Sequence, residues 1–338
     1  MKAMWTAAAA LAISCSALLI AHAQTDFYRG KQMRLITGHQ VGNDYDVGAR
    51  LLARFLPKHI PGQPTIIVQN MVAAASVAAV NYVYGVAPRD GTVIGTFSRN
   101  IPSQKLMGQA NIEADPRRFN WLGATSFPGR VCTVWHTAPV QTIEDLFTKE
   151  LIVGGAGAGS APSILSTVFN HVLGTKFKLV EGYKGTQDAL LAIERGELQG
   201  VCASYGQFRS YAHLFNEGKL KFLLRAEEAV MPDIPNVPSI YDYAKTEEQR
   251  QFMRFVFAST EFGRPYIFAP EVPKDRVELM QRAVAETLKD PELIAEADKI
   301  KLDMSFRPPE DLERLVAKLY ATPPEIIEAA KRLVPNIQ

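Results

Sequence analysis

Gln32-Met33-Arg34-Leu35-Ile36-Thr37 reads as a short buried strand, and Gly38-His39-Gln40-Val41-Gly42-Asn43-Asp44-Tyr45-Asp46 follows it as a polar, glycine-punctuated loop. Beyond the loop, Val47, Leu51, Leu52, Phe55 and Leu56 recur at helical spacing, Pro61-Gly62 stops the helix, and Thr65 to Gln69 forms a second strand. Strand, loop, helix and strand in that order predict a parallel pair joined by a helical crossover. This stretch decides the fold class.

Working outward, an Ala-rich stretch from Val72 to Val86 is predicted helical, Pro88-Arg89-Asp90-Gly91 is a turn, and Thr92 to Phe97 is a third strand. Residues 101–128 read as irregular, and then the theme restarts. Strand Val131–His136 leads to a helix opened by Thr142 and Asp145 in a capping-box arrangement. Strand Leu151–Gly154 leads through a Gly-rich loop to a helix from about Ala161, and strand Phe177–Glu181 leads to a helix ended by Gly196. Leu198–Ala203 and Lys221–Arg225 are further strands, and helices dominate from Val272 onward. The expectation is an α/β protein of two lobes, each a mainly parallel sheet flanked by helices. Residues 24–127 and 227–338 are assigned to the first lobe and 128–226 to the second.

The N-terminus carries a targeting pattern. Lys2 precedes an apolar run from Ala7 to Ile20, and Ala21-His22-Ala23 supplies a small-residue cleavage site before Gln24. A lipoprotein reading through Cys15 is weaker, because Ala12-Ile13-Ser14 lacks the usual leading leucine. Export into an oxidising periplasm is therefore expected, with residues 1–23 removed. The formal net charge of +2 excludes the basic stripe of a nucleic-acid binder. Cys132 and Cys202 then remain, either as a disulfide, if their two strands are neighbours, or as two buried thiols.

In parallel sheets ligands sit beyond the strand C-termini, where helix N-termini present free N–H groups. The first such loop offers Gly42, Asn43, Tyr45 and Asp46, with Asp44 or Asp46 alternatively serving as an ordinary helix cap. The second, Gly154-Gly155-Ala156-Gly157-Ala158-Gly159-Ser160-Ala161, suits a carboxylate- or phosphate-sized anion on the amides of Gly157, Gly159, Ser160 and Ala161. It is neither a dinucleotide fingerprint nor a P-loop, since Ser160 stands where a third Gly belongs and no Lys follows Gly159. The third loop contributes Tyr183, Lys184 and Gly185; Ser98 and Ser204, directly after their strands, complete the candidate contacts. No Gly-x-Ser-x-Gly elbow is present, and His39, His59, His136, His171 and His213 show no metal-ligand spacing. No catalytic centre, metal or cofactor is expected.

Taken in order, these segments resemble the solute receptors of tripartite tricarboxylate transporters, the Bug or TctC type. The resemblance rests on Met33-Arg34-Leu35-Ile36, Gly42 to Asp46, Ala49-Arg50-Leu51-Leu52-Ala53, Ile67-Val68-Gln69-Asn70-Met71 and Ala87-Pro88-Arg89-Asp90-Gly91-Thr92. It continues through the loop ending in Ser160, Gly182-Tyr183-Lys184-Gly185, Arg195-Gly196-Glu197-Leu198 and Asp233-Ile234-Pro235-Asn236-Val237-Pro238. It implies a monomeric Venus-flytrap receptor, without cofactor, that holds a small carboxylate between its lobes and hands it to membrane transporter subunits. Asp46 is then expected to contact the ligand. The alternatives are a sensory co-receptor for a signalling kinase and an enzyme on the same two-lobe scaffold with Cys202 near the cleft, which would need a neighbouring base that the sequence does not display. The chain departs from the family where Gly42-Asn43-Asp44 replaces consecutive glycines, where Val72-Ala73-Ala74-Ala75-Ser76 replaces a Pro-Gly-x-Gly loop, and where Ala203 replaces an acidic residue.

Overall fold

The computed structural model describes residues 27–125, 129–157, 160–228 and 230–333. The expected signal segment and its cleavage site lie outside the described residues. The chain divides into two compact units, both discontinuous in sequence. The first comprises the described residues of Met1–Ile101, Ala110–Ser126 and Phe262–Val316; the second, those of Pro102–Gln109, Phe127–Glu261 and Ala317–Gln338.

The first unit is built on a sheet of β1 (Gln32–Thr37), β2 (Thr65–Asn70), β3 (Val93–Thr96), β4 (Asn120–Thr125), β10 (Arg264–Phe268) and β11 (Phe306–Arg307), in the order β11-β4-β10-β3-β1-β2. β1 lies parallel to both β2 and β3, whereas β10 runs antiparallel to β3 and β4. The crossover helix Asp44–Phe55 buries Leu51, Leu52 and Phe55 in a core with Met33, Leu35, Ile94, Tyr266 and Phe268. These are the apolar positions whose spacing predicted the helix, so removal of that face from water explains its docking.

The second unit has the sheet order β7-β6-β8-β5-β9, with β5 (Arg130–Trp135), β6 (Leu151–Gly155), β7 (Phe177–Glu181), β8 (Gly200–Ser204) and β9 (Leu220–Arg225). β6 is parallel to β7 and β8; β5 is antiparallel to β8 and β9. Cys132 and Cys202 are direct partners across β5 and β8, their Cα atoms 4.0 Å apart, and they form a disulfide. The open alternative is thereby decided in favour of the bond.

Several expectations need correction. Each sheet is mixed rather than mainly parallel. The stretch read as irregular contains the helix Ile101–Leu106 and β4; β10, a fully buried strand at the centre of the first sheet, lies just before the helical tail where no strand was expected, and the tail itself contains β11. Residues 102–109 and the described residues of 227–261 and 317–338 group with the second unit, not the first. The reason is packing: Phe257 of helix Glu247–Glu261 meets Phe169 edge to face at 5.5 Å, and Gln249 donates to the Val172 carbonyl at 2.6 Å. The Thr142–Asp145 box forms as expected, yet it opens only the single 3-10 turn Glu144–Phe147.

The Ala-rich segment also departs from helix. Regular helix begins only at Val77, after Ala74, Ala75 and Ser76 take positive φ values of 47°, 51° and 78°. Alanine's helix propensity loses here to a tertiary contact. A Cβ on Gly38 would stand 2.4 Å from the Ser76 Cβ, and the Ser76 hydroxyl donates to the Gly38 carbonyl at 3.2 Å. Only glycine at position 38 admits that approach.

Candidate functional site

Chain direction diverges at one strand in each unit. β1 has β2 on one side and β3 on the other; β6 likewise stands between β7 and β8. Where parallel strands part in this way, the loops leaving their C-termini open a crevice suited to ligands.

In the first unit the loops concerned are 38–46 and 98–100. Asn43 caps the helix Asp44–Phe55 by accepting from the Tyr45 amide at 2.9 Å. Asp46, 1% exposed, is the hub of the loop. Its carboxylate accepts from the Gly42 amide at 2.9 Å, from Asn70 Nδ2 at 2.7 Å and from Arg50 Nε at 3.0 and 3.1 Å. Asn70 also donates to the His39 carbonyl and accepts from Arg50. Burial pushes the Asp46 carboxyl up, but the bonds from Arg50, Gly42 and Asn70 outweigh it and hold it below the usual carboxylate range. Asp46 is thus a brace with both oxygens engaged, not the free acceptor expected of a ligand contact, and the helix cap is Asn43 rather than Asp44 or Asp46.

Tyr45 joins the two loops. Its ring stacks on His39 at 3.8 Å, while its hydroxyl donates to the Gly263 carbonyl at 3.4 Å and accepts from the Arg99 amide at 3.2 Å. Burial lowers the His39 ring to about 4, so it is neutral at pH 7, and its Nδ1 has no hydrogen-bond partner among the described residues. Ser98 turns the second loop by accepting from the Asn100 amide at 3.4 Å. Beneath this corner, the buried hydroxyls of Thr37, Thr96, Thr125 and Tyr266 likewise lack a hydrogen bond of good geometry among the described residues.

The second unit uses backbone and hydroxyls. Ser160 accepts from the Ala156 amide at 3.2 Å and stands 2.7 Å from the Ser163 hydroxyl. The Gly157 amide, expected to await an anion, already donates to Glu181 at 2.7 Å. A Cβ on Gly155 would lie 2.5 Å from both Glu181 Oε2 and Ser163 Oγ, so glycine there lets the carboxylate approach. Tyr183 donates its amide to the Gly155 carbonyl at 3.1 Å and packs partly into the core. The Lys184 amide donates to Asp188, Gly185 precedes the helix Thr186–Glu194, and Ser204 ends β8. Ala161 opens the helix Ala161–Leu173, while Gly159 lies outside the described residues.

This arrangement of sheets has known counterparts. A TctC solute-binding protein from Polaromonas superposes with a TM-score of 0.70, covering 91% of this chain and 99% of its own at 20% identity. The fold is that of the TctC- and Bug-type solute-binding proteins. The solute-binding fold recurs in MatC of Rhodopseudomonas palustris with bound malate, at a TM-score of 0.52, 19% identity and 90% and 99% coverage. An adipate-bound R. palustris protein matches with a TM-score of 0.54 at 19% identity over 90% of this chain and 98% of its own. In sequence, a UPF0065 protein of Cupriavidus necator is 25% identical over 241 residues, which cover 69% of this chain and 70% of that protein. No family model matches the chain.

On this solute-binding fold, the structure brings Gly42, Asn43, Tyr45 and Ser98 to one switch point, and Gly157, Ser160, Tyr183 and Gly185 to the loops around the other. Sequence reasoning missed Asn70, Arg50 and Glu181 as the groups that hold these loops, and it missed Arg99. Arg50 and Asn70 stand in stretches that carry the resemblance, yet nothing in those stretches marks them as a brace; Asn70 lies 24 residues from Asp46 in the chain and meets it only through the β1–β2 pairing. Among the described residues no cluster of His, Cys, Asp or Glu is placed to hold a metal ion, and no helix is long and apolar enough to cross a membrane.

Proposed function

We propose that this chain is a periplasmic, non-catalytic receptor that captures a small carboxylate and, acting as a monomer, delivers it to a tripartite tricarboxylate-type membrane transporter. The observation that carries this reading is the repeated switch point, once per unit, whose loops offer backbone amides, hydroxyls and amide side chains. Such groups suit the binding and orienting of a small ligand. The malate- and adipate-bound neighbours support a carboxylate as the ligand class.

In this reading Gly42, Asn43, Tyr45 and Ser98 contact the ligand from the first unit, with Asp46 fixing their loop. Ser160, Tyr183, Lys184, Gly185 and Ser204 serve the second, with Gly159 and with the Ala161 amide at the start of a helix whose dipole favours negative charge by about 0.3–1 kcal/mol, while Gly157, its amide held by Glu181, shapes the loop. Mass spectrometry of small molecules released on unfolding protein purified from its native host tests the proposal. Stoichiometric release of a carboxylic acid is expected. Release of a neutral or cationic compound in that amount, or of nothing from protein that also binds no carboxylate on titration, would refute it.

A further inference from the structure

We propose that Arg99 is the counter-ion for a carboxylate of the ligand, an inference that rests on the receptor reading above. Arg99 lies in the loop that leaves β3, three residues past its end, and is only partly exposed. Its amide is fastened to the Tyr45 hydroxyl, which places it at the β1–β3 switch point together with the loop 38–46. Among the described residues no hydrogen bond, ion pair or ring contact reaches its guanidinium.

The Arg99 nitrogens are not among the buried, unpartnered atoms of this corner, so the guanidinium meets water in the ligand-free protein and is open to an anion. The neighbouring arginines are already engaged. Arg50 is bound to Asp46 at 2.9 Å, and Arg264 lies 3.7 Å from Asp44 while donating to the Asp303 carbonyl. The two acids of the loop are therefore already matched to two other arginines, and one positive charge is left over at Arg99. A planar guanidinium presents parallel N–H donors that fit a carboxylate bidentately. The unpartnered Nδ1 of His39, stacked on the same Tyr45, adds a second unspent polar group to the corner. Charge and donor geometry both call for an anion with a flat two-oxygen head.

The test uses the mature full-length protein and calorimetric titration with succinate, malate, citrate and adipate. The tightest-binding acid is then compared with its mono-amide in wild type, Arg99→Gln and Arg99→Lys. Arg99→Gln is expected to weaken the acid by about 10–100-fold, in keeping with the loss of one partner of a partly buried charge pair. Its ligand-free melting temperature should stay at the wild-type value, since no protein group loses a partner. Replacing one ligand carboxylate by an amide should weaken binding to wild type strongly and to Arg99→Gln little, a coupling that a purely structural arginine would not give. Arg99→Lys should fall between them. Equal affinity of wild type and Arg99→Gln for the acid, or the same amide penalty in both, would overturn the role of Arg99 and leave the receptor reading standing. Failure of wild type to bind any of the four acids would overturn both.

Discussion

The two units solve one topological problem with different materials. Each places a parallel strand between two parallel neighbours, β1 between β2 and β3, β6 between β7 and β8, and each lets the loops beyond those strands do the presenting. The first unit braces its loop with side chains: a buried carboxylate, an arginine, an asparagine and a stacked His–Tyr pair. The second shapes its loop with glycines and serines and stitches the sheet beneath it with a disulfide. A wired loop keeps its shape through specific long-range partners, so its failures should be local and chemical. A glycine loop keeps its shape through backbone geometry and the stiffness of what it stands on.

The contrast is broken most strongly at the disulfide. Replacing Cys132 and Cys202 together by Ala should cost about 2–5 kcal/mol, because the bond closes a loop between residues 70 apart. Denaturant unfolding against the oxidised parent reads this directly; a double variant of equal stability would mean that strand pairing alone supports the Gly-rich loop. Next comes Asp46→Ala, which strips an acceptor from Gly42 and Asn70 and should cost about 2 kcal/mol. Arg50, 47% exposed, adds little because water screens it. The counterpart Ser160→Ala should cost under about 1 kcal/mol. Similar losses for the two would erase the distinction between wired and glycine-shaped loops.

Acid sharpens the comparison further. Burial holds the His39 ring near 4 against an ordinary 6.5, so as pH falls the unfolded chain takes up this proton first. The contribution of neutral His39 is complete above about pH 6.5 and is lost progressively toward about pH 4. After discounting for the part of the ring that water reaches, it is on the order of 1–2 kcal/mol. The Asp46 carboxyl, held below its ordinary 3.8, gives way only at lower pH still. Stability curves of wild type and His39→Gln between pH 4 and 7 should diverge; parallel curves would assign the slope to other groups. The smallest effect concerns the left-handed Ala75, at φ 51°. Ala75→Gly should raise stability by about 0.5–1 kcal/mol, since glycine adopts this backbone without a steric penalty. A loss on thermal unfolding would show that its methyl group is packed more favourably than its backbone is strained.

Much of the fold was legible because the physics was local. Gln32–Thr37 and Phe177–Glu181 are strands at the residues expected, each followed directly by a glycine, and the helix begins at Ala161 as expected. β10 escaped because Arg264-Pro265 does not look like the start of a central strand. Pro265 is tolerated inside the sheet, and Arg264 is 7% exposed yet supplied with an acceptor. The run Ala73–Ser76 misled for the opposite reason: its composition favours helix, and only the contact with Gly38, far away in sequence, forbids it. At the candidate site, spacing located the loops but not their wiring. Asp46 was recognised as special, and its true partners, Asn70 and Arg50, follow only from the pairing of β1 with β2. Arg99 carried no signal at all, because what singles it out is the absence of a partner, and a sequence does not display absences.

The disulfide has a consequence in time as well as in space. Synthesis delivers a chain from its N-terminus, so Cys132 emerges 70 residues ahead of the thiol it must find. In the interval β6, the Gly-rich loop and β7 all emerge, and until β8 arrives any other thiol or oxidant can capture Cys132. Correct oxidation therefore waits on the last strand of the ring that it closes. In a reducing cytosol it would not occur, and β5 and β8 would be held together by their hydrogen bonds and by the core that Val131, Val201 and Ala203 share.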